Sequence, residues 1–552
     1  MKRRIAIILV FLMVFSLVLN ACSGNQTPDS SNSPGPTSSA SQSPGQPSSS
    51  GNQGSPGGEK EDDIYRVLNA GVFGYTWAGN LDPCQYDILE YCYPVYYLVY
   101  DSIFYCDPND NQMKTHILES WEWSADFLTL KMKLRDDVYF SNGEQMTGED
   151  VLYSVWRKST GAIPSFYNHF DHDNSYVEAD GMTVVIKYMY TFGPAMSKLD
   201  IFVVNKSFVE PISDTIDWYD PANAIGSGPY KITEYTKDYS ITLELRDDYW
   251  GPSKCQANKI VGFQYTDQTT MAIDLERGTL DVILNASEID TGAALSGSIS
   301  NVDAVVVSAN TNLMLTLSDK SEILQDVAIR EAICYAVNPA AIADASYGSL
   351  GVVATSPFAS GLKWYEPGHQ YGYNPDKAKQ VLAAAGYSPG EIKLKFLVAS
   401  NPELYAVAET LQSFLSNIGI VLEIESGAFA TVNGRYRDDP QATDFIINRF
   451  MDGIPDGDPY FSMYVFGRAY IFPQSRLEND LKMQEYLDVI TQSLVDSERA
   501  IASKNIQRHL IETFRTIPIV EWGLSVIYRT DKVTNPNMNS LMRSNLRFIQ
   551  MV

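Results

Sequence analysis

Residues 118–154, LESWEWSADFLTLKMKLRDDVYFSNGEQMTGEDVLYS, are the stretch whose reading decides the fold. Leu128, Leu130, Met132 and Leu134 alternate with Thr129, Lys131, Lys133 and Arg135. A period of two puts one set inside and the other in water, which predicts a half-buried antiparallel strand. Asp136-Asp137 turns the chain, Val138-Tyr139-Phe140 returns it as a second short strand, and Ser141-Asn142-Gly143 tolerates positive φ. Thr147 stands three residues before Asp150, the spacing of a capping box in which each partner satisfies an orphan N–H. Val151, Leu152, Val155 and Trp156 then recur at helical spacing.

Working outward, the order Trp, strand, L-R-D-D-V-x-F-S-N-G, T-x-E-D-V-x-x-S resembles the signature of the family 5 extracellular solute-binding proteins, the oligopeptide- and dipeptide-binding lipoproteins of ABC importers. Other segments are similar to that family's motifs. Leu81-Asp82-Pro83 matches its early L-D-P turn, and Val99-Tyr100-Asp101-Ser102-Ile103-Phe104 its V-Y-D-x-L-F helix. Gly226-Ser227-Gly228-Pro229-Tyr230 resembles G-T-G-P-Y, and Arg246 to Gly251 resembles R-x-x-x-Y-W-G with one residue fewer before the tyrosine. Leu275 to Asp281 fits L-x-x-G-x-x-D, and the run from Asp326 fits D-V-x-x-R-x-A-I-x-x-A.

The resemblance implies an α/β, bilobal, periplasmic-binding-protein-like fold of type II, cluster C, with an extra small domain inserted in the first lobe. The expected division is 1–21 signal peptide, 22–62 lipidated cysteine and linker, 63–109 with 225–318 and 526–552 first lobe, 110–224 inserted domain, and 319–525 second lobe. Within the last of these, Ile392, Leu394, Phe396 and Val398 alternate as a strand, Asn401-Pro402 opens a helix that Gly419 ends, and Ile420, Leu422 and Ile424 alternate again. Strand, helix, strand at these lengths is a βαβ unit. Asn374-Pro375 opens another helix. Ile517-Pro518-Ile519-Val520 is expected to cross back toward the first lobe.

At 552 residues, with 45% hydrophobic content, the chain is too long for one core. Its formal net charge of −26 excludes nucleic acid as a partner, because phosphate binding needs a basic face. The 34 tyrosines suit surfaces that bind by stacking and hydrogen bonding. Lys2-Arg3-Arg4 followed by the apolar run 5–19 has the form of a signal peptide and is short for a membrane span. It ends in Leu19-Asn20-Ala21-Cys22, which looks like a lipobox, so Cys22 is the expected lipidation site. Residues 23–58 are nearly all Ser, Gly, Pro, Gln, Asn and Thr, a composition that cannot offset its ordering entropy. Such a tether reaches roughly 35 Å. These features imply a monomer anchored on the outer face of the cytoplasmic membrane. Of the other cysteines, Cys84, Cys92 and Cys106 lie close enough in sequence for one pair to bridge, and Cys255 stands apart. Cys334 reads as a core residue.

No HExxH, GxSxG, phosphate loop or complete GxGxxG is present, so no enzyme is expected, and neither a cofactor nor a metal site. His169-Phe170-Asp171-His172-Asp173 clusters ligand types but reads as a polar surface loop. Asp107-Pro108-Asn109-Asp110-Asn111 lacks the sixth-position glycine and twelfth-position carboxylate of a calcium loop. The stretch 450–461, FMDGIPDGDPYF, follows an apolar strand, and a strand end is a common place for a ligand. The resemblance implies that an aspartate of this loop receives a peptide's α-ammonium. Asp452 is the first choice and Asp456 the rival, because Gly453-Ile454 stands where the family has one residue. The expected partners are a short peptide and an ABC permease. Oligosaccharide, stacked on Trp77, Trp218, Trp250 or Trp364, and metal chelate are the alternatives, and a secreted lipoprotein enzyme is the reading from another class.

Overall fold

The computed structural model describes residues 65–73, 77, 80–84, 94–107, 112–161, 169–251, 256–284, 286, 288–308, 311–348, 351–451, 477, 479–537 and 546–552. The opening stretch supplies the first two strands of a four-stranded antiparallel sheet in the order Leu118–Trp123, Thr129–Leu134, Thr183–Tyr188, Phe170–Val177. Leu130, Met132 and Leu134 are buried, as the alternation predicts, together with Val184, Ile186 and Tyr188. On the other face Lys131 meets Glu178 at 2.8 Å and Lys133 meets Asp180 at 2.7 Å. Val138-Tyr139-Phe140 departs from expectation. Only a single bridge, Tyr139 to Gln145, forms there. Met146 N–H donates to Val138 O and Phe140 N–H to Glu144 O, so the chain reverses too tightly to extend a ladder, while Val138 and Phe140 are still buried. The helix Gly148–Thr160 starts at Thr147, whose N–H donates to Asp150 Oδ2 at 2.8 Å.

The second sheet has ten strands because one strand, Thr516–Arg529, belongs to both of its halves. Its first part pairs antiparallel with Thr311–Leu317, which in turn pairs with Phe445–Met451. Its last part pairs with Val282–Leu284 and with Val302–Ser308. Fourteen residues at about 3.3 Å each span roughly 45 Å, enough to run from one lobe into the other. In the first lobe Val67–Phe73 lies parallel to Lys259–Tyr265. Gly226 lets this lobe close on itself, since a Cβ there would lie 2.0 Å from Val99 O.

The second lobe packs Leu313, Leu315 and Leu317 against Val327–Ala336, Pro339–Tyr347 and Pro402–Asn417. Lys393–Ala399 and Val421–Gly427 pair in parallel around that last helix, the expected βαβ unit. Asp326, Asn374 and Asn401 each accept from a first-turn N–H of the helix they open. Among the described residues no helix is long and apolar enough to cross a membrane.

Candidate functional site

The place to look is where the crossing strand changes partners. Leu313 pairs with Val520, and beyond that register the Thr311 hydroxyl donates to Trp522 O at 2.5 Å. The next pair along is therefore Asn312 and Glu521, which alternation puts on the same face of the sheet as Met314. Leu313, Leu315 and Leu317 face the second lobe's own core, whereas Met314 packs in a cluster that includes Leu130, Met132 and Phe192 of the inserted domain. Asn312 and Glu521 thus sit on the face of the sheet opposite that core.

The loop over that face binds both residues. Ser360 N–H and the Ser360 hydroxyl donate to Glu521 Oε2 at 2.8 and 2.6 Å, and Asn312 Nδ2 donates to Ser356 O at 3.1 Å. Ser356 in turn donates to Gln507 Oε1 at 2.7 Å. Glu521 is 8% exposed, and its burial raises the carboxyl above the usual range even though the two Ser360 bonds pull the other way. Asn312 is 1% exposed, and its Oδ1 has no hydrogen-bond partner among the described residues.

The strand Phe445–Met451 lies two strands from the crossing strand, and Met451 pairs with Thr311. It leads directly into the acidic stretch. Asp452 and Asp456 lie outside the described residues, as does Cys22. Glu521 and Asn312 were missed by sequence reasoning, although Glu521 carries a signal: it is the one charged residue between Ile517 and Tyr528 in IPIVEWGLSVIY.

The inserted domain reaches the second lobe through residues 191–193. The Thr191 hydroxyl donates to Gln492 O at 2.9 Å and Gly193 N–H to Thr491 O at 2.8 Å, at the end of the helix Leu481–Gln492. A Cβ on Gly193 would lie 2.8 Å from Arg499 Nε and from Ser493 O. Arg499 is fixed from below, with Nε donating to Ile490 O at 3.0 Å and its guanidinium over the Trp364 ring.

Two expectations need correction, and a third, a bridge among Cys84, Cys92 and Cys106, is narrowed. His169 is not in a polar surface loop: it is 1% exposed, stacked on Phe192 at 3.9 Å, and precedes the strand Phe170–Val177. Flanking aspartates and asparagines disguise a residue whose ring belongs to an aromatic core. Cys84 forms no bridge; it is a buried free thiol, and burial beside Asp82 pushes it up to about 12. Trp77 cannot be a sugar platform, being 2% exposed with its indole N–H bonded to Phe263 O. Trp250 and Trp364 also pack against the core, under Arg135 and Arg499. Cys334 is buried as expected. Among the described residues no group of three His, Cys, Asp or Glu could hold a metal.

Residues 112–471 match the family model described as bacterial extracellular solute-binding proteins, family 5. The chain is 25% identical over 350 residues to the heme-binding protein A of Haemophilus influenzae, covering 58% of this chain and 63% of that one. It is also 25% identical over 339 residues to the dipeptide-binding protein of Escherichia coli, covering 56% and 62%. The aligned stretch thus spans about six-tenths of the length of these curated relatives. Among solved structures, the periplasmic binding protein DppA of Helicobacter pylori in complex with the peptide STSA superposes with a TM-score of 0.74. That likeness covers 88% of this chain and 98% of that one at 19% identity, and it establishes the cluster C bilobal fold.

Proposed function

The chain belongs to the bacterial extracellular solute-binding proteins, family 5, and from that premise we propose that it captures a short peptide between its lobes and delivers it to an ABC permease. The observation that carries this reading is the crossing strand. Two lobes joined through Thr516–Arg529 can close about it, and a ligand that touches both favours the closed state by its differential affinity. Peptide held as an added strand would gain affinity from backbone hydrogen bonds without sequence selection. The net charge of −26 and the acidic stretch at 452–458 favour a ligand with a cationic end. In this reading Cys22 carries a lipid that holds the body outside the cytoplasmic membrane, and Asp452, with Asp456 as rival, receives the α-ammonium. The domain division expected from sequence is part of the same proposal.

The test is a double-mutant cycle. Asp452→Ala leaves a desolvated amine without its partner, at a cost of about 2–5 kcal/mol by analogy with truncated interfacial charge pairs. At ~1.4 kcal/mol per decade that is roughly 30-fold or more in affinity. N-acetylation of the peptide should harm wild type heavily and the variant little. Losses that simply add would remove Asp452 from the contact and move the experiment to Asp456. The heme-binding relative supports a second reading, a metal chelate; haem that binds tightly where peptides do not would favour it.

A further inference from the structure

The geometry points to Glu521, with Asn312 beside it, as a subsite for a cationic side chain of the ligand, so that the peptides this protein takes carry lysine or arginine. This rests on the peptide reading above and adds to it a preference that the amine-anchoring loop does not supply.

The argument begins with what the two side chains can do. A carboxylate and an amide oxygen only accept hydrogen bonds, while ammonium and guanidinium groups only donate. Glu521 Oε2 is occupied by the two Ser360 donors. Its other oxygen has no hydrogen bond, and the side chain no ion pair, among the described residues. Next to it Asn312 Oδ1 is buried and unpartnered, and its orientation is fixed because Nδ2 is committed to Ser356 O. One loop, residues 356–360, therefore holds two buried acceptors together and leaves on each an oxygen that a donor would complete.

A buried carboxylate without a cation is costly, and a protein using Glu521 merely to tie down Ser360 could do so with a neutral side chain. Of the other buried carboxylates, Asp82 pairs with Arg157 at 2.7 Å and Asp101 with Arg547 at 2.8 Å, while Asp150, Asp281 and Asp444 have no ion pair among the described residues and accept from backbone N–H groups. Glu521 also lacks a cation, and what sets it apart is the second buried acceptor beside it, Asn312 Oδ1, which has no donor among the described residues. Glu521 stands, too, where the crossing strand passes from its pairing with Thr311–Leu317 toward its pairing with Val282–Leu284, so a cation carried by a ligand held between the lobes would meet it there. Burial holds its carboxyl above the usual range, and an arriving cation would bring it back down.

The experiment uses the full-length protein freed of co-purified ligand, and calorimetry with Lys-Ala-Ala, Ala-Lys-Ala and Ala-Ala-Lys against the same peptides carrying norleucine for lysine. Wild type should prefer lysine at one position by roughly 30-fold or more. Glu521→Gln should bring that ratio to within about threefold while norleucine peptides bind as before, a change that a purely structural glutamate would not produce. Equal binding of lysine and norleucine peptides by wild type overturns the proposal, as does a preference that survives in Glu521→Gln. If neither kind binds, the peptide reading itself has failed and this subsite goes with it. Should the variant melt early, the wild-type ratio decides alone, and Asn312→Leu, which keeps the carboxylate, should reduce the ratio without abolishing it.

Discussion

The inserted domain is fastened at two places, and the two are built from different chemistry. Toward the first lobe, Arg157 of the helix Gly148–Thr160 forks onto both oxygens of Asp82 at 3.1 and 2.7 Å, with both side chains nearly wholly buried. Arg246 of the first lobe adds a bond to Phe140 O of the inserted domain. Toward the second lobe, the hydrogen bonds among the described residues are those of Thr191 and Gly193, with apolar packing around Phe192. A buried charge pair is costly to break, because either ion alone is stranded in low dielectric. Neutral hydrogen bonds are worth about 0.5–1.5 kcal/mol each and are replaced by water on opening. The first junction is thus fixed and the second releasable, which is what a domain carried by one lobe and met by the other on closure needs.

The largest effect should come from breaking the fixed junction. Arg157→Ala strands Asp82 and should lower unfolding free energy by about 3–5 kcal/mol in denaturant titration. A loss below about 1 kcal/mol would mean that water already reaches the pair, and the contrast between the junctions would collapse. At the releasable junction, Gly193→Val drives a side chain into Arg499 and Ser493 O. Overpacking of this kind costs about 1–3 kcal/mol, but here only the contact between lobes bears it. Denaturant stability should hold, while small-angle scattering shows a larger ligand-free molecule and ligand dissociates faster. An unchanged radius and off-rate would show that residues 191–193 do not gate opening.

The fixed junction was more legible in the sequence than the releasable one. Leu81-Asp82-Pro83 and the capped helix starting at Thr147 could be read from local pattern, since turn and cap chemistry act over three or four residues. What the pattern could not supply was that Arg157 and Asp82, 75 residues apart, would meet. Gly193 had no such signature, because its need for a missing Cβ arises from Arg499, some three hundred residues later. Glu521 was legible in principle as a charge in an apolar run, but its meaning depends on the register with Asn312. His169 misled for the opposite reason: its polar neighbours in sequence are not its neighbours in space.

His169 makes the smallest difference between the junctions, and one that needs no substitution to see. Its ring stacks on Phe192 at 3.9 Å and near Tyr188, and burial, with Lys198 and His172 adding to it, holds its pKa well below 6.5. The folded protein therefore keeps it neutral while the unfolded chain takes up a proton near pH 6.5. For a depressed pKa the stability is fully present above the unfolded value and is lost as pH falls through it toward the folded one. At pH 5.5, one unit below, the loss is about 1.4 kcal/mol. Because Phe192 lies between Thr191 and Gly193, that loss should appear at the releasable junction. His116, held at about 4 by burial and by Arg547, has the same sign but stacks on Tyr105, away from this contact. Hydrogen exchange at Gly193 N–H, corrected for its intrinsic rate, should show roughly tenfold more opening at pH 5.5 than at pH 7.5, and His169→Phe should flatten the difference. An equal opening free energy at both pH values, or the same dependence in the variant, would separate His169 from the junction and leave Thr191 and Gly193 as its only release points.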